Sequence, residues 1–553
     1  MYGQVVLYFF LKAISFRGDI LEHNQIYSQI SSGDISIGIE LGSTRIKTVA
    51  IDTDFNTIGS GYYEWENKFE DGYWTYSIND VWTGIQKSYQ SMTEDIQTKF
   101  NLSITKVKSL GISAMMHGYL AFDKNDDLLV PFRTWRNSYT EEAAHTLRET
   151  FKFNIPERWS IAHLYQSILN HEQHVKEVKY ITTLSGYIHW YLTEQKVLGI
   201  GDASGMFPID QQTRNYDQEK LNQFDALIKG ESMDWSIASI LPKVLVAGEE
   251  AGYLTEQGAK LLDPSQQLEA GVPLCPPEGD AGTGMVATNS IEKHKGNISA
   301  GTSAFAMIVL DQPLQHVYPE IDIVTTPVGD SVAMVHTNNC TSDINAWVSL
   351  FEEAFKLMDI DVNKNDLYER LFNHTQQADD DNGNLMSYGY ISGENITNIN
   401  TGVPIFLRQT DSQFNLANFM KTHIMSAFST LKLGVDLLKN GEDVLIDSFV
   451  VHGGIFKTKD IAQRILGASL NSSVEVLETA NDGGAWGMAI LASYMVNNEH
   501  QLPLNQYLKE NIFDQADGQI IYPTEADVQA YDAFIQKYKK GLELERSAIQ
   551  YVQ

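Results

Sequence analysis

The sequence predicts an α/β protein of two domains whose cores repeat one another, and three observations carry that prediction. Residues Ile37–Asp52 and Asn297–Asp311 each read as a strand, a tight turn of small residues and a second strand. They overlay without a gap, Gly42 on Gly301 and Asp52 on Asp311, at a constant offset of 259 residues. Between such strand pairs lie stretches of helical periodicity, which suits helices laid on sheets. Just upstream of the second pair, Gly279-Asp280-Ala281-Gly282-Thr283-Gly284 sets a carboxylate among small residues, where backbone can come very close to a ligand. Either turn alone reads equally as an ordinary hairpin. Two in register, preceded by Gly279-Asp280, point instead to paired concavities whose N–H groups and hydroxyls suit phosphate oxygens.

The totals bound what such a protein can be. A chain of 553 residues, 43 % hydrophobic and 20 % charged, has the size of two or three domains and the composition of a folded one. A formal charge of −31 argues against a general nucleic-acid or anionic-membrane binder. A polyanionic ligand would need a locally neutralised pocket and a divalent cation. Cys275 and Cys340 are the only cysteines, so neither a disulfide framework nor a cysteine zinc site is expected, and a cytoplasmic location is. Residues 1–33 stand apart. Their apolar run Val5–Leu11 is too short to span a bilayer and lacks the flanks of a signal peptide. This segment reads as an extension outside the fold.

In chain order, Thr57–Trp65 continues the first sheet, and Asn79 or Asp80 is placed to cap a helix with apolar Trp82, Ile85, Tyr89, Met92 and Ile96. Residues 107–115 form a buried strand ending at Met116-His117-Gly118, and Leu120–Leu129 a hairpin. His117 at a strand end is either a site residue or a satisfied structural histidine. Arg133-Thr134-Trp135-Arg136-Asn137 precedes a helix capped by Thr140; it suits a polyol, with the indole over an apolar sugar face, or is a surface loop with a packed Trp. Residues 155–200 read as mostly helical, 376–395 as a solvated acidic loop, and 417–440 as one long helix stopped by Gly441. A strand at 444–451 leads into His452-Gly453-Gly454 and a helix capped by Thr458, a unit that lets backbone approach a base or phosphate. Asp482-Gly483-Gly484 opens another helix through glycines, and an amphipathic helix follows Glu525.

Taken together, residues 34 to about 545 resemble the FGGY family of carbohydrate kinases, nearest its xylulokinase branch. Glu40-Leu41-Gly42-Ser43-Thr44 with Lys47 resembles the first phosphate motif, and Ser299-Ala300-Gly301-Thr302-Ser303 the second. Gly111–Gly118 resembles the Met-His-Gly segment, Asp202-Ala203-Ser204-Gly205 a mid-domain motif, and Gly279-Asp280-Ala281 the segment of the catalytic aspartate. His452-Gly453-Gly454 and Gly483-Gly484-Ala485-Trp486-Gly487 are similar to the adenosine site.

The resemblance implies an actin-like, ribonuclease H-like sugar-kinase fold with a duplicated mixed-sheet core and a cleft. An N-terminal sugar-side domain would cover 34–289, a C-terminal nucleotide-side domain 290–500, and a helical tail 501–553. It implies ATP and Mg²⁺, and an alcohol phosphotransferase acting on a ketopentose such as D-xylulose to give its 5-phosphate. Asp280 would be the general base, with Met116, His117 and Trp135 also on the sugar. Gly42, Ser43, Thr44, Lys47, Gly301, Thr302, Ser303, Gly453, Gly454 and Gly484 would hold ATP, and Glu40 the metal through water. The partners would be a small sugar and Mg-ATP, without nucleic acid or membrane, in a monomer or homodimer.

The sequence departs from the family pattern in three places. Glu40 stands where the family has Asp, Glu278 and Ala281 flank the catalytic segment in place of Gly and Asn, and Arg136-Asn137 follow Trp135 in place of Asn-Asp. The arginine would select a substrate with an acidic group or pair with Glu141. The alternatives are another ketose, a polyol or a sugar acid such as gluconate as substrate, or a non-catalytic sensor that keeps the fold.

Overall fold

The structure is a computed structural model that describes residues 23–476, 483–514 and 518–552. The chain divides into two compact units. The first takes Met1–Ala287, Val324–Asp330 and Asp482–Asp514; the second takes Thr288–Ile323, Ser331–Asn481 and Gln515–Gln553.

The first unit is built on a five-stranded sheet of β1 (Ser36–Leu41), β2 (Arg45–Ile51), β3 (Thr57–Glu64), β4 (Ser109–Ala114) and β5 (Glu278–Gly279), in the order β5-β4-β1-β2-β3. β1, β2 and β3 form an antiparallel meander, while β4 runs parallel to β1 and β5 parallel to β4. Strand β4 is buried along its whole length, and β1 is buried except at half-buried Glu40. Such continuous burial is the mark of a sheet covered on both faces. One cover is helix α1 (Ile78–Phe100), whose Ile85, Tyr89, Met92 and Ile96 are buried as the spacing predicts; at its start Val81 is the buried residue, and Trp82, expected there, is only partly buried. Its cap, however, is Ser77, whose hydroxyl accepts from the Asp80 N–H; Asn79 and Asp80 lie inside the first turn. Ser77 is the last residue with extended backbone, and that geometry lets its oxygen reach back. Thr140 likewise precedes its helix without capping it, because its hydroxyl is committed to the Glu157 carbonyl 2.5 Å away.

The part of residues 1–33 that is described does not lie outside the fold. Residues 23–32 are helical, Ile30 is buried in the first core, and the Gln29 side chain accepts from the Thr53 N–H at 2.9 Å. Residues 1–22 fall outside the described residues. Residues 155–200 also differ from a mostly helical reading: Ser160–Leu169 and Leu184–Thr193 are helices, but Tyr180–Thr182 and Val197–Gly199 are strands.

Helix α2 (Asp280–Ala287) follows β5, and helix α3 (Gly483–Asn497) joins the same unit from far along the chain. The α3 helix is apolar on every side, so it must be buried all round. A Cβ on Gly38 of β1 would fall on the Ala485 carbonyl, and one on Gly487 on the Thr283 carbonyl. These two glycines allow the close approach. Residues 501–553 are therefore not one tail: helix Leu504–Asn511 lies in the first unit and helix Glu525–Val552 in the second.

The second unit repeats the plan. Strands β6 (Lys295–Ala300), β7 (Ala304–Val309), β8 (Ile321–Thr325), β9 (Ser331–Thr337), β10 (Ser448–His452), β11 (Ser473–Val476) and β12 (Gln519–Ile521) run in the order β8-β9-β7-β6-β10-β11-β12. Here β6, β7 and β9 form the antiparallel meander, and β10 and β11 add in parallel. The duplication is real, but the ungapped overlay is not. Leu41 pairs with Ile46 across the first turn, whereas Ala300 pairs with Ala304 across the second. The second turn is one residue shorter, so the return strands match at one residue less than the outgoing ones, and Asp311 is not the counterpart of Asp52.

Three further readings change here. The single helix expected at 417–440 is two, Leu416–Ala427 and Ser429–Gly441, with buried Phe428 turning the chain between them. The acidic stretch 376–395 contains strand Leu385–Tyr388 and buried Tyr388 and Tyr390, which pack with Tyr531, Phe534 and Tyr538 of the C-terminal helix. Thr458 caps nothing: a 3₁₀ turn, Gly454–Lys457, comes first, and the helix begins at Ile461 after Asp460 in left-handed backbone. Both cysteines are free and buried. Among the described residues, no helix is long and apolar enough to cross a membrane.

Candidate functional site

Within the first unit, the ends of β1, β4 and β5 bring together residues far apart in the chain. Strand β5 is only two residues long and delivers Asp280 to the first position of α2. There its carboxylate accepts from the Met116 N–H at 3.4 Å, just past the end of β4. The Met116 side chain fills the space left by Gly279, where a Cβ would collide with its Cγ. Part of Asp280 remains open to solvent, yet the protein around it raises its pKa to about 6, with burial the main cause.

Glu40, near the end of β1, faces Lys47 across the β1–β2 ladder. Its carboxylate accepts from the Ala485 N–H at 3.2 Å, at the start of α3. Burial and then the neighbouring charge of Asp280 lift its pKa to about 7, against the pull of the Ala485 hydrogen bond and Lys47. A Cβ on Gly484 would fall on the Glu40 carboxylate, so the extra methylene of Glu relative to Asp is matched by that glycine. The sequence attached Gly484 to the nucleotide; the structure sets it against Glu40 and Thr283.

His117 adopts left-handed backbone, with φ of 69°, and is buried with its ring stacked toward Trp159. Its Nδ1 lies 3.1 Å from the Gly205 carbonyl, which can only accept; Nδ1 therefore carries the proton and Nε2 is left as an acceptor. Burial, with the nearby Arg158 charge, lowers its pKa to about 3, so the ring is neutral. Trp135 and Arg136 are exposed. Arg136 does not pair with Glu141; its guanidinium stacks on Trp74, 3.9 Å from the ring centroid. Asn137 is structural, exchanging hydrogen bonds with the Trp74 backbone at 2.8 Å.

Two buried carboxylates complete the neighbourhood, and neither has a chemical role in the sequence reading. Asp202 accepts from the hydroxyls of Thr183, at 2.7 Å, and Ser185, while its other oxygen has no partner. Glu278 accepts from the N–H groups of Gly201 and Asp202 at 3.3 and 3.0 Å. Burial raises them to about 7 and about 8 respectively. Asp202 stands in a recognisable motif, but its partners Thr183 and Ser185 lie in an apolar helix start that carries no signal. Glu278 was visible only as a departure from a glycine.

The turn after β1 is braced from outside the sheet. Trp65 donates its indole N–H to the Gly42 carbonyl at 2.8 Å, and Tyr76 its hydroxyl to the Ser43 carbonyl at 2.6 Å. The two rings stack 4.0 Å apart. Ser43 and Thr44 keep exposed surface. In the second unit, Gly301 and Thr302 are exposed and Ser303 half-buried. That turn is braced by a helix start, through Cys340 N–H to the Thr302 carbonyl at 2.9 Å and Thr341 Oγ1 to the Gly301 carbonyl at 2.8 Å. Gly453 has φ of 126°, and a Cβ there would fall on the Ala300 carbonyl, whereas one on Gly454 would meet nothing within 4 Å.

Among the described residues, no three His, Cys, Asp or Glu side chains could together hold a metal ion. The arrangement still fits Mg²⁺, which binds through one or two carboxylates, waters and substrate phosphates rather than a protein cage. The charge of Asp280 raises the cost of charging Glu40 beside it, and a divalent cation would relieve that cost.

A doubled mixed sheet, with a carboxylate at a strand-to-helix junction and a glycine–hydroxyl turn in each half, defines an actin-like sugar-kinase fold. Family models for the FGGY family of carbohydrate kinases match residues 35–286, as the N-terminal domain, and 296–496, as the C-terminal domain. The chain belongs to that family and is an ATP-dependent carbohydrate kinase. It is similar to a xylulose kinase from Haemophilus influenzae, 23 % identical over 523 residues covering 91 % of this chain and 98 % of the relative. Solved structures share the fold. A gluconate kinase from Lactobacillus acidophilus is 16 % identical with a TM-score of 0.74, covering 92 % of this chain and 97 % of its own. A xylulose kinase from the same organism is 15 % identical with a TM-score of 0.74, covering 93 % and 98 %. A glycerol kinase from Plasmodium falciparum is 14 % identical with a TM-score of 0.73, covering 92 % and 98 %.

Proposed function

We propose that this kinase phosphorylates a ketopentose such as D-xylulose to its 5-phosphate in the cytoplasm, with Asp280 as general base. The observation that carries the role of Asp280 is its placement: a part-exposed carboxylate at a helix start, raised to about 6 and so ionised at neutral pH yet able to take a proton. The Asp280 carboxylate takes the proton of the attacking sugar hydroxyl, that oxygen bonds to the γ-phosphorus, and the bond to the β-phosphate oxygen breaks to release ADP. Mg²⁺, held through water by Glu40, would offset phosphate charge when bound. Neutral His117 offers Nε2 as an acceptor for a sugar hydroxyl, and Met116 lines the apolar side. Trp135, exposed as it is, flanks the sugar.

On this reading Gly42, Ser43, Thr44 and Lys47 contact the phosphates from the first unit. Gly301, Thr302, Ser303, Gly453 and Gly454 are the ATP-binding residues of the second. The Gly454 glycine is not demanded by any described neighbour, and close approach of a nucleotide supplies a reason for it.

The substrate is read from the similarity to xylulose kinases, so the test is a panel. ADP release with Mg-ATP is measured against D-xylulose, other ketoses, polyols and gluconate, in the native protein and in Asp280→Asn. Turnover greatest with D-xylulose and abolished in the variant is expected. Preference for gluconate or a polyol replaces the substrate, and sugar binding without turnover replaces the enzyme with a sensor.

A further inference from the structure

Glu278 occupies a socket lined by two glycines and two backbone N–H groups. Its side chain is 1 % exposed. A Cβ on Gly199 or on Gly201 would fall on its carboxylate, so two glycines two residues apart leave the room it fills. The carboxylate accepts from two successive N–H groups, those of Gly201 and Asp202, which open the short helix Ile200–Ala203. One residue back, the Pro277 carbonyl accepts from the Gly199 N–H at 2.8 Å. Three hydrogen bonds thus join residues 277–278 to residues 199–202, and Asp280 begins its helix two residues later.

The alternatives for such a residue are packing or catalysis. Packing alone would be served more cheaply by an apolar side chain, because a buried carboxylate carries a desolvation cost. Its pKa, pushed up to about 8 by burial and by Asp202, reports that cost. Each of its oxygens accepts from a backbone N–H, and the side chain is sealed from solvent, so no substrate reaches it. What it does hold is the level of β5, which pairs with β4 over only two residues, Glu278 with Ser113 and Gly279 with Ala114. A strand that short sets no rigid register by itself.

We infer that Glu278 is a positioning residue, which clamps the β5–α2 junction to the turn at Gly199–Gly205 and so fixes where Asp280 faces Met116. The inference rests on Asp280 being the base. The same clamp aligns Asp202, whose carboxylate is gripped by Thr183 and Ser185 on the far side of that turn.

The test compares the native protein with Glu278→Gln, which keeps the volume but puts an amide N–H₂ against a backbone N–H, and with Glu278→Asp, which keeps the carboxyl group but is one methylene short. Two readouts are taken: kcat and KM with Mg-ATP and D-xylulose, and amide hydrogen exchange along the chain. In Glu278→Gln, kcat is expected to fall about tenfold to a hundredfold with KM for the sugar changed less than about threefold, the pattern of a misplaced catalytic group. Exchange should rise at residues 199–203 and 279–283 and nowhere else in the unit. Glu278→Asp should recover part of the loss in both readouts.

Unchanged kcat with unchanged exchange overturns the inference. So does a rise in exchange spread evenly over the first unit, which would make Glu278 a general stabiliser. If the native protein turns over no sugar, the reading of Asp280 as base fails, while the local exchange change at 279–283 still decides whether Glu278 sets that junction.

Discussion

The hairpins at Gly42 and Gly301 have the same origin in the sequence pattern and different equipment in the structure. In the first, the Gly42 N–H closes on the Arg45 carbonyl at 2.9 Å; in the second, the Gly301 N–H closes on the Ser303 carbonyl at 2.8 Å. One residue fewer in the turn slides the return strand by one place, and in a strand one place is the difference between the two faces. Lys47 therefore corresponds to Phe305 and not to Ala306. Across the ladder, Glu40 faces Lys47 in the first hairpin, where Ser299 faces Phe305 in the second. A single topology thus carries an acid and a base in one copy and neutral groups in the other. The comparison teaches that one residue more or less in a turn decides which residue types face one another across otherwise matching ladders.

Substitutions can break that contrast or sharpen it, and the largest effect should fall on Asp280. Asp280→Asn is expected to lower kcat on the order of a thousandfold in the ADP-release assay, the upper range for loss of a general base. Thr302→Ala, on the turn without a carboxylate, should cost about tenfold or less and act mainly on KM for ATP. Equal losses in the two variants would erase the contrast.

Next comes Glu40→Gln, expected to lower kcat about a hundredfold and to raise the Mg²⁺ concentration for half-maximal rate. Ser299→Ala, at the matching place, should stay within about threefold.

Gly453→Ala and Gly454→Ala separate glycine needed for the fold from glycine left open to a ligand. The first forces an Ala into φ of 126° and onto a carbonyl oxygen, and should cost about 2–3 kcal/mol in urea unfolding of the protein. The second should leave stability within about 1 kcal/mol and show itself in KM for ATP.

Stability against pH gives a smaller effect with a sign that depends on the group. Glu278 has a folded pKa of about 8, above its unfolded value of about 4.5, so the folded state binds the extra proton. Its contribution is full below about 4.5 and is lost as pH rises through 8. The buried histidines 117, 163 and 189 run the other way. Burial depresses them to about 3, 3 and 4, so they favour unfolding as pH falls below about 6.5. Between pH 6.5 and 8 the raised carboxylates act, Glu278 together with Glu40, Asp202 and Glu394. Glu278→Gln should therefore abolish on the order of 1–2 kcal/mol of the stability lost between pH 6.5 and 8, measured by urea unfolding at both values. A loss of the same size in the variant would remove Glu278 as its source.

The smallest effect belongs to Arg136→Ala. An exposed guanidinium on Trp74 is worth about 0.5–1 kcal/mol, and the ratio of gluconate to xylulose turnover should not move. A change in that ratio would return the arginine to the substrate.

Much of this was legible in the chain because it is local. Strand–turn–strand patterns, helix stripes such as Ile85–Tyr89–Met92–Ile96, and glycines beside carboxylates are written in consecutive residues, and each survives in the structure. What was misread depended on a partner elsewhere. Ser77 outcompeted Asn79 and Asp80 because only its backbone was extended; Phe428 broke a helix because the core needed its ring; Tyr388 and Tyr390 drew an acidic stretch inward because a helix 150 residues later covers them. The neighbourhood of Asp280 was half visible. Met116, His117 and Asp280 sit in motifs, while the grip of Thr183 and Ser185 on Asp202, and of Ala485 on Glu40, joins residues whose separation conceals them.

By itself, then, the amino-acid order determined the number of units, the kind of sheet in each and the residue types on offer for phosphoryl transfer, since periodicity and turn chemistry act over a few neighbouring residues. Tertiary structure alone decided the one-residue difference between the hairpins, the return of helix Gly483–Asn497 to the first sheet, and which carboxylates stand close enough to another acid for their pKa to rise. Burial and charge act through space, and a sequence shows only distance along the chain.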